Sequence, residues 1–221
     1  MNLTIFAATG GIGGQALEQA VAAGHAVTAV VRNPKNVPHG VRSVTADLAA
    51  ADPATLATAV AGADAVLSGL GPRPLSEVGV ASRGTRAIVQ AMQATRARRL
   101  VVVSAAPVAT VPSPHRPDPP KHDPGDGVLM RLLLSPLIKV VLRDAYADLA
   151  LMEDVVRDSG LEWTIVRPPR LTNGPRTGRY RTATDQNVRG GARISRADVA
   201  DLMLRVLGQT ATIGRTVGIG Y

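Results

Sequence analysis

Hydrophobic and polar positions along the chain fall into two kinds of block. Short apolar runs with β-branched members recur at Leu3–Ala8, His25–Arg32, Val41–Val44, Ala63–Leu70, Arg98–Ser104, Leu161–Arg167 and Ala192–Ser195. Between them lie stretches whose apolar residues return every three or four positions, at Gln15–Ala23, Pro53–Ala61, Val78–Thr95, Asp144–Asp158 and Arg196–Leu207. Short apolar runs read as strands buried on both faces, and the helical period reads as helices covering them. The alternation predicts an α/β protein built on a doubly wound, mostly parallel sheet with helices on both faces. Val80, Thr85, Ile88, Val89 and Met92 form the inward stripe of one helix, and Leu149, Met152, Val155 and Val156 that of another. Ser195 is placed to cap the last helix, with Asp198 in its first turn, and Thr216–Tyr221 is expected to add a strand at the sheet edge.

Two stretches break the pattern. Pro107–Asp126 is dense in proline, which removes backbone donors and fixes φ, so it predicts a surface excursion or lid. Its His115, Asp118, His122 and Asp123 read as solvated side chains rather than metal ligands. Val128–Leu142 is apolar and helix-prone, suited to roofing a pocket or making a subunit contact. Arg131, Pro136 and Lys139 interrupt it, and it falls short of the ~20 residues of a membrane span.

A chain of 221 residues suits one domain with one core, spanning residues 1–221, and 45% apolar against 19% charged content suits a folded one. Without cysteine there is no disulfide, thiolate metal site or cysteine nucleophile, which fits a reducing cytoplasm; no signal-like segment precedes the first strand. The net charge of +8 is almost wholly arginine. Eight arginines stand between Arg167 and Arg196 against one acid, Asp185, while the whole chain has five aromatic residues. With no stacking platform and no recognition-helix motif, this balance favours an anionic small molecule over nucleic acid or a membrane surface.

The anion site is expected where the first strand breaks into Thr9-Gly10-Gly11-Ile12-Gly13. The first amides of a helix have no intrahelical acceptor, and glycines let a pyrophosphate approach them. Two registers fit: Gly11-x-Gly13-x-x-Ala16, or Ala7-x-x-Gly10-x-x-Gly13 with alanine for the first glycine. At the end of the second strand, about 20 residues on, an NAD site would carry an acid for the ribose 2′-hydroxyl. Arg32 and Asn33 stand there instead, and an arginine suits a 2′-phosphate, hence NADP(H). Asp47 and Leu48, after the third strand, could meet the adenine rim, or Asp47 could cap the next element. Ser68-Gly69-Leu70-Gly71 forms a second glycine turn, expected beside the ribose and diphosphate. Ser104, at a strand tip, could donate a hydrogen bond to a carbonyl or merely end its strand.

The segments Ala8–Gly13, Val31–Pro34, Ser159–Pro169, Thr177-Gly178-x-Tyr180 and Ile194–Ala200 together resemble the atypical short-chain dehydrogenase/reductases. Within them the chain is most similar to the NAD(P)H-binding, NmrA-like group that includes biliverdin reductase B, a flavin reductase. The resemblance implies a single Rossmann-like domain with NADP at the glycine turn. It places Ser104 and Arg167-Pro168-Pro169 near the nicotinamide, and implies a flat acceptor such as a flavin, quinone, enone or tetrapyrrole. Two departures stand out. Ala7 replaces the first glycine, and the Tyr-x-x-x-Lys pair of typical members is absent, since Ala150 follows Tyr146 and Thr184 follows Tyr180 at that spacing. Without that acid, Ser104 would orient the acceptor, solvent would supply the proton and Arg170 would stabilise developing charge; Asp148 reads as a solvated helix-surface acid. An NADP-holding sensor without turnover, and a cofactor-regenerating isomerase, epimerase or dehydratase, remain alternatives to a reductase.

Overall fold

The computed structural model describes residues 1–71, 78–125 and 142–221. Strand and helix alternate as β1 (Asn2–Phe6), α1 (Gly11–Ala22), β2 (Ala26–Val31), β3 (Arg42–Thr45), α2 (Pro53–Val60), β4 (Ala65–Ser68), α3 (Val80–Thr95) and β5 (Arg99–Val103). The described remainder gives α4 (Arg143–Arg157), β6 (Glu162–Arg167), β7 (Arg170–Thr172), β8 (Arg181–Thr184), β9 (Arg193–Ser195), α5 (Arg196–Arg205) and β10 (Arg215–Gly220). The main sheet runs β3-β2-β1-β4-β5-β6-β10-β8, parallel throughout except that β8 is antiparallel to β10. β7 and β9 form a separate parallel ribbon.

Alternation along each strand sends side chains to two apolar layers. Leu3 and Ile5 join Ala16, Leu17 and Met203 beneath α1 and α5, whereas Phe6 joins Ile88, Met92 and Met152 beneath α2, α3 and α4. Each large side chain so enclosed contributes about 1.5–3 kcal/mol of transfer free energy. This explains why the central strands β4 and β5 are apolar on both faces: there neither face of the sheet sees water, whereas the edge strands β3 and β8 are largely exposed.

Helix ends are satisfied in different ways. Asp52 caps α2 by accepting from Thr55 N at 3.0 Å, and Ser195 Oγ caps α5 by accepting from Asp198 N at 3.0 Å. The start of α3 borrows its cap from α4, because Asp148 accepts from Ala81 N and Ser82 N at 3.0 and 3.1 Å. Asp148 is therefore a buried cap, not the solvated acid its helix position suggests; its anion offsets the positive end of α3. Only α1 starts inside its turn, at Gly11 rather than Gln15, since helical backbone built of glycine leaves no apolar period to read.

The C-terminal strand also departs from expectation. β10 lies inside the sheet between β6 and β8, and the edge is β8, whose Arg-Thr-Ala-Thr sequence has too few apolar residues to register as a strand. The proline-rich stretch is bound down over its described length. Ala106–Thr110 forms a short 3₁₀ helix that buries Val108 and Ala109. Asp154 accepts from Ser113 Oγ at 3.0 Å and His115 N at 3.3 Å, and Asp123 accepts from Gly125 N and Asn187 N, both at 2.8 Å. Proline has no amide to satisfy, so two buried carboxylates suffice to hold the segment against the body. Up to Gly125 it is a packed strap rather than a lid. The apolar segment Val128–Leu142 lies outside the described residues apart from Leu142, which precedes α4. Among the described residues no helix is long and apolar enough to cross a membrane.

Candidate functional site

The chain leaves β1 for β2 and β3 on one side, then returns to β4 on the other. A crevice must open where the connections diverge, outside the carboxyl ends of the strands. Here it is a cleft of about 530 Å³, lined from the ends of β1, β2, β4 and β5 and the loop after β3. That volume is ample for a small-molecule ligand.

Its floor is the glycine turn. Gly10 N donates to Ala7 O at 2.7 Å, folding the turn back, and no side chain caps α1. The first amides of α1 therefore present an open positive end to the cleft. A Cβ on Gly13 would overlap the Ala7 carbonyl oxygen, and one on Gly69 would lie 2.9 Å from Gly13 N. Gly13 thus joins β1, α1 and the end of β4 backbone to backbone, beneath the cleft rather than in it. Ala7 holds the turn's first position at φ 55, left-handed backbone that glycine adopts without cost.

Thr9, Gly10, Gly11, Ile12, Arg32, Asn33, Asp47, Leu48, Gly69, Leu70, Gly71 and Ser104 line the cleft. Arg32 follows β2 directly and is exposed. Asn33 Oδ1 accepts from Lys35 N at 3.0 Å, and Asp47 Oδ1 accepts from Ala49 N at 3.1 Å, so both side chains also shape the loops they stand on. Gly13, Ser68, Arg167, Pro168, Pro169 and Arg170 are outside the lining. Ser68, Arg167, Pro168 and Pro169 are buried, and Arg170 is exposed on β7.

Ser104 and Arg167 meet at Glu153, a fully buried residue of α4. Its Oε1 accepts from Ser104 Oγ at 2.6 Å and Arg167 Nε at 2.8 Å; its Oε2 accepts from Arg167 Nη2 at 2.5 Å and Arg157 Nη2 at 2.7 Å. Burial alone would raise this carboxyl's pKa, but the bond and charge of Arg167, the charge of Arg157 and the Ser104 bond together hold it below its ordinary value. An ionised carboxylate can only accept, so the Ser104 proton points to Glu153 and only its lone pairs remain for the cleft. Ser104 is thereby an acceptor toward a ligand, contrary to the donor role its position at the strand tip suggests. Arg167 is a structural counter-ion below the cleft, because the buried charge of Glu153 requires it. Burial and the repulsion of the nearby Arg167 guanidinium lower the pKa of Arg116, whose Nη2 donates to Val108 O at 2.6 Å and Val111 O at 3.2 Å within the strap.

The Thr177-Gly178-x-Tyr180 stretch is held on α5. Asp198 accepts from Thr177 N, Gly178 N, Thr177 Oγ1 and Tyr221 Oη at 2.6–2.9 Å. Tyr180 Oη donates to Asp201 at 2.6 Å, and burial followed by Asp201 itself raises its pKa. Tyr180 is therefore anchored away from the cleft, and among the described residues no tyrosine, lysine or histidine lines it. The lining also includes Asn36, Val80, Leu149, Leu171 and Arg196, none of which the sequence reading assigned to the site. Val80 and Leu149 belong to helix stripes that read as core; Arg196 reads as the first residue of a capped helix.

A parallel sheet whose switch-point cleft opens on an uncapped, glycine-started helix defines a dinucleotide-binding protein. The chain belongs to the NAD(P)H-binding family, which it matches over residues 7–210. The same fold occurs in the oxidoreductase ylbE from Lactococcus lactis, with a TM-score of 0.78 and 21% identity over 100% of this chain and 90% of that one. It also occurs in a short-chain dehydrogenase/reductase from Veillonella parvula solved in complex with NADP, with a TM-score of 0.76 and 20% identity over 100% of this chain and 94% of that one. The anaerobilin reductase ChuY from Escherichia coli has a TM-score of 0.75 and 23% identity, covering 99% of this chain and 96% of that one.

Proposed function

We propose that the protein is an NADPH-dependent reductase of a small conjugated or aromatic acceptor, in the class of a flavin, quinone, enone or tetrapyrrole. We further read it as a cytoplasmic member of the NmrA-like short-chain dehydrogenase/reductases, on the side of biliverdin reductase B. The observation that carries the reading is the make-up of the cleft wall: an arginine at the end of β2 and, among the described residues, no tyrosine, lysine or histidine.

The open amides of α1 would hold the diphosphate of the dinucleotide, and Arg32, beside Asn33, its ribose 2′-phosphate. Asp47 and Leu48 would border the adenine, and Ser104, whose lone pairs face the cleft, would accept from a donor such as the nicotinamide carboxamide. Bound NADPH supplies a hydride. An acceptor that delocalises the resulting charge can take its proton from water, whereas a simple ketone needs a positioned acid worth about 10²–10⁴-fold in rate. No tyrosine, lysine or histidine stands in the described lining, and the Ser104 hydroxyl already gives its proton to Glu153. The ChuY neighbour, named as an anaerobilin reductase, supports a flat conjugated acceptor by analogy.

The test is NADPH oxidation against a panel of flavins, quinones, enones and unactivated ketones. Turnover of the conjugated classes with ketones at least about a hundredfold poorer in kcat/KM is expected. Efficient ketone reduction would mean an acid outside this account. Tight NADPH binding with no oxidation by any acceptor would favour a sensor or a cofactor-regenerating isomerase, epimerase or dehydratase.

A further inference from the structure

Arg196 is the first residue of α5, yet its side chain leaves that helix and lies over the start of α1. A Cβ on Gly11 would sit 2.8 Å from both Cδ and Nε of Arg196, and Arg196 Nη1 donates to Asn173 Oδ1 at 2.6 Å. A guanidinium is thus held on the rim of the cleft, above a helix whose amides are uncapped. Two positive features are brought together, and among the described residues the only polar partner of Arg196 is a neutral amide. Four other arginines of the C-terminal part pair with a carboxylate, Arg167 with Glu153, Arg176 and Arg205 with Asp201, and Arg215 with Asp185, whereas Arg196 pairs with none among the described residues. Like charge gathered without a counter-ion is unfavourable until an anion enters.

We propose that Arg196 is a second arginine of the dinucleotide site, closing over the diphosphate from the solvent side while the α1 amides hold it from below. The inference rests on the reading of the cleft given above. Asn173 fixes one Nη, so the planar fork is already oriented and less side-chain freedom is lost when it pairs with phosphate oxygens. The two arginines then have different tasks. Arg32, at the end of β2, distinguishes the 2′-phosphate; Arg196, over Gly11, attaches the part that every nicotinamide or adenine dinucleotide shares. Gly11 gains a specific reason to lack a side chain, because any Cβ there would push the guanidinium off the diphosphate.

Calorimetric titration of the wild type, Arg196→Gln, Arg196→Lys and Asn173→Ala with NADPH, NADH, ADP-ribose and adenosine 2′-monophosphate tests this. Arg196→Gln should weaken NADPH, NADH and ADP-ribose alike by about tenfold or more, while leaving the 2′-monophosphate, which has no diphosphate, within about twofold. Arg196→Lys should recover part of the loss, because the charge returns without the fork, and Asn173→Ala should show a smaller loss of the same pattern. Unchanged NADPH and ADP-ribose affinity in Arg196→Gln would overturn the role of Arg196, as would an equal loss for the 2′-monophosphate, which would indicate general damage. A wild type that binds neither dinucleotide would instead overturn the reading of the cleft itself, and with it this inference.

Discussion

The carboxyl edge of the sheet has two ends that treat charge in opposite ways. At β1 and β2 polar groups are turned to the cleft: α1 has no side-chain cap, Arg32 lines the cleft and is exposed, and among the described residues Arg196 meets only an amide. At β5 and β6 they are closed on one another, with Ser104, Arg157 and Arg167 all converging on Glu153. The first arrangement stores binding capacity for an anion; the second spends its hydrogen bonds on holding β5, β6 and α4 in register. An arginine near a cleft is therefore informative only once its partner is known. Arg32 and Arg167 both end a strand at the same edge, yet one faces the cleft and the other balances a buried carboxylate.

Breaking the closed end should have the larger effect on the fold. Glu153→Gln leaves the buried Arg167 without its counter-ion, which should cost about 3–5 kcal/mol and lower the melting midpoint by roughly 10 °C. An unchanged midpoint would mean that the cluster contributes nothing net. The pH dependence follows from the lowered pKa of Glu153. Its stabilisation is complete above the unfolded value, near 4.5, and is lost as pH falls through the lower folded value. Wild type should therefore lose stability below about pH 4.5 more steeply than Glu153→Gln; parallel acid profiles would contradict the assignment.

Ser104→Ala reaches the boundary between the two ends. It removes one of the donors to Glu153, so stability should fall by about 1 kcal/mol, and kcat with a conjugated acceptor by no more than about tenfold. A loss near a thousandfold would show that this hydroxyl delivers a proton after all. The smallest change is Ala7→Gly at the open end. Relief of left-handed backbone, about 1–2 kcal/mol, is partly offset by the added freedom of glycine in the unfolded chain, leaving a gain of about 0.5 kcal/mol in denaturant unfolding. A loss of stability would mean that the Ala7 methyl makes contacts that outweigh the strain.

Features legible in the sequence were those set by neighbours in the chain. Strands buried on both faces, helices with an apolar stripe, the Ser195 cap and the glycine turn followed by Arg32 each depend on a window of a few residues. What the sequence hid was set by pairs far apart. Arg196 reaches Gly11 across most of the chain, and nothing in an Ile-Ser-Arg-Ala-Asp stretch distinguishes it from a helix start. Glu153 looks like any polar residue on a helix until Arg167 and Ser104 come to it. Asp148 looked solvated because the helix end it caps belongs to α3. The stretch from Pro107 reads as a surface excursion or lid because proline density is a local signal of irregular backbone, whereas its anchors, Asp123 to Asn187 and Asp154 to Ser113, join distant segments.

The claim at the centre of the account is that the open end of the edge holds a dinucleotide with a 2′-phosphate against Arg32. Calorimetric titration of wild type and Arg32→Ala with NADPH and NADH measures it directly. A hydrogen bond to a charged group contributes about 1.5–3 kcal/mol, so the account predicts tighter wild-type binding of NADPH than NADH and a loss of about tenfold or more for NADPH alone in the variant. Equal affinity of the wild type for both cofactors, or an equal loss of both in Arg32→Ala, would contradict it.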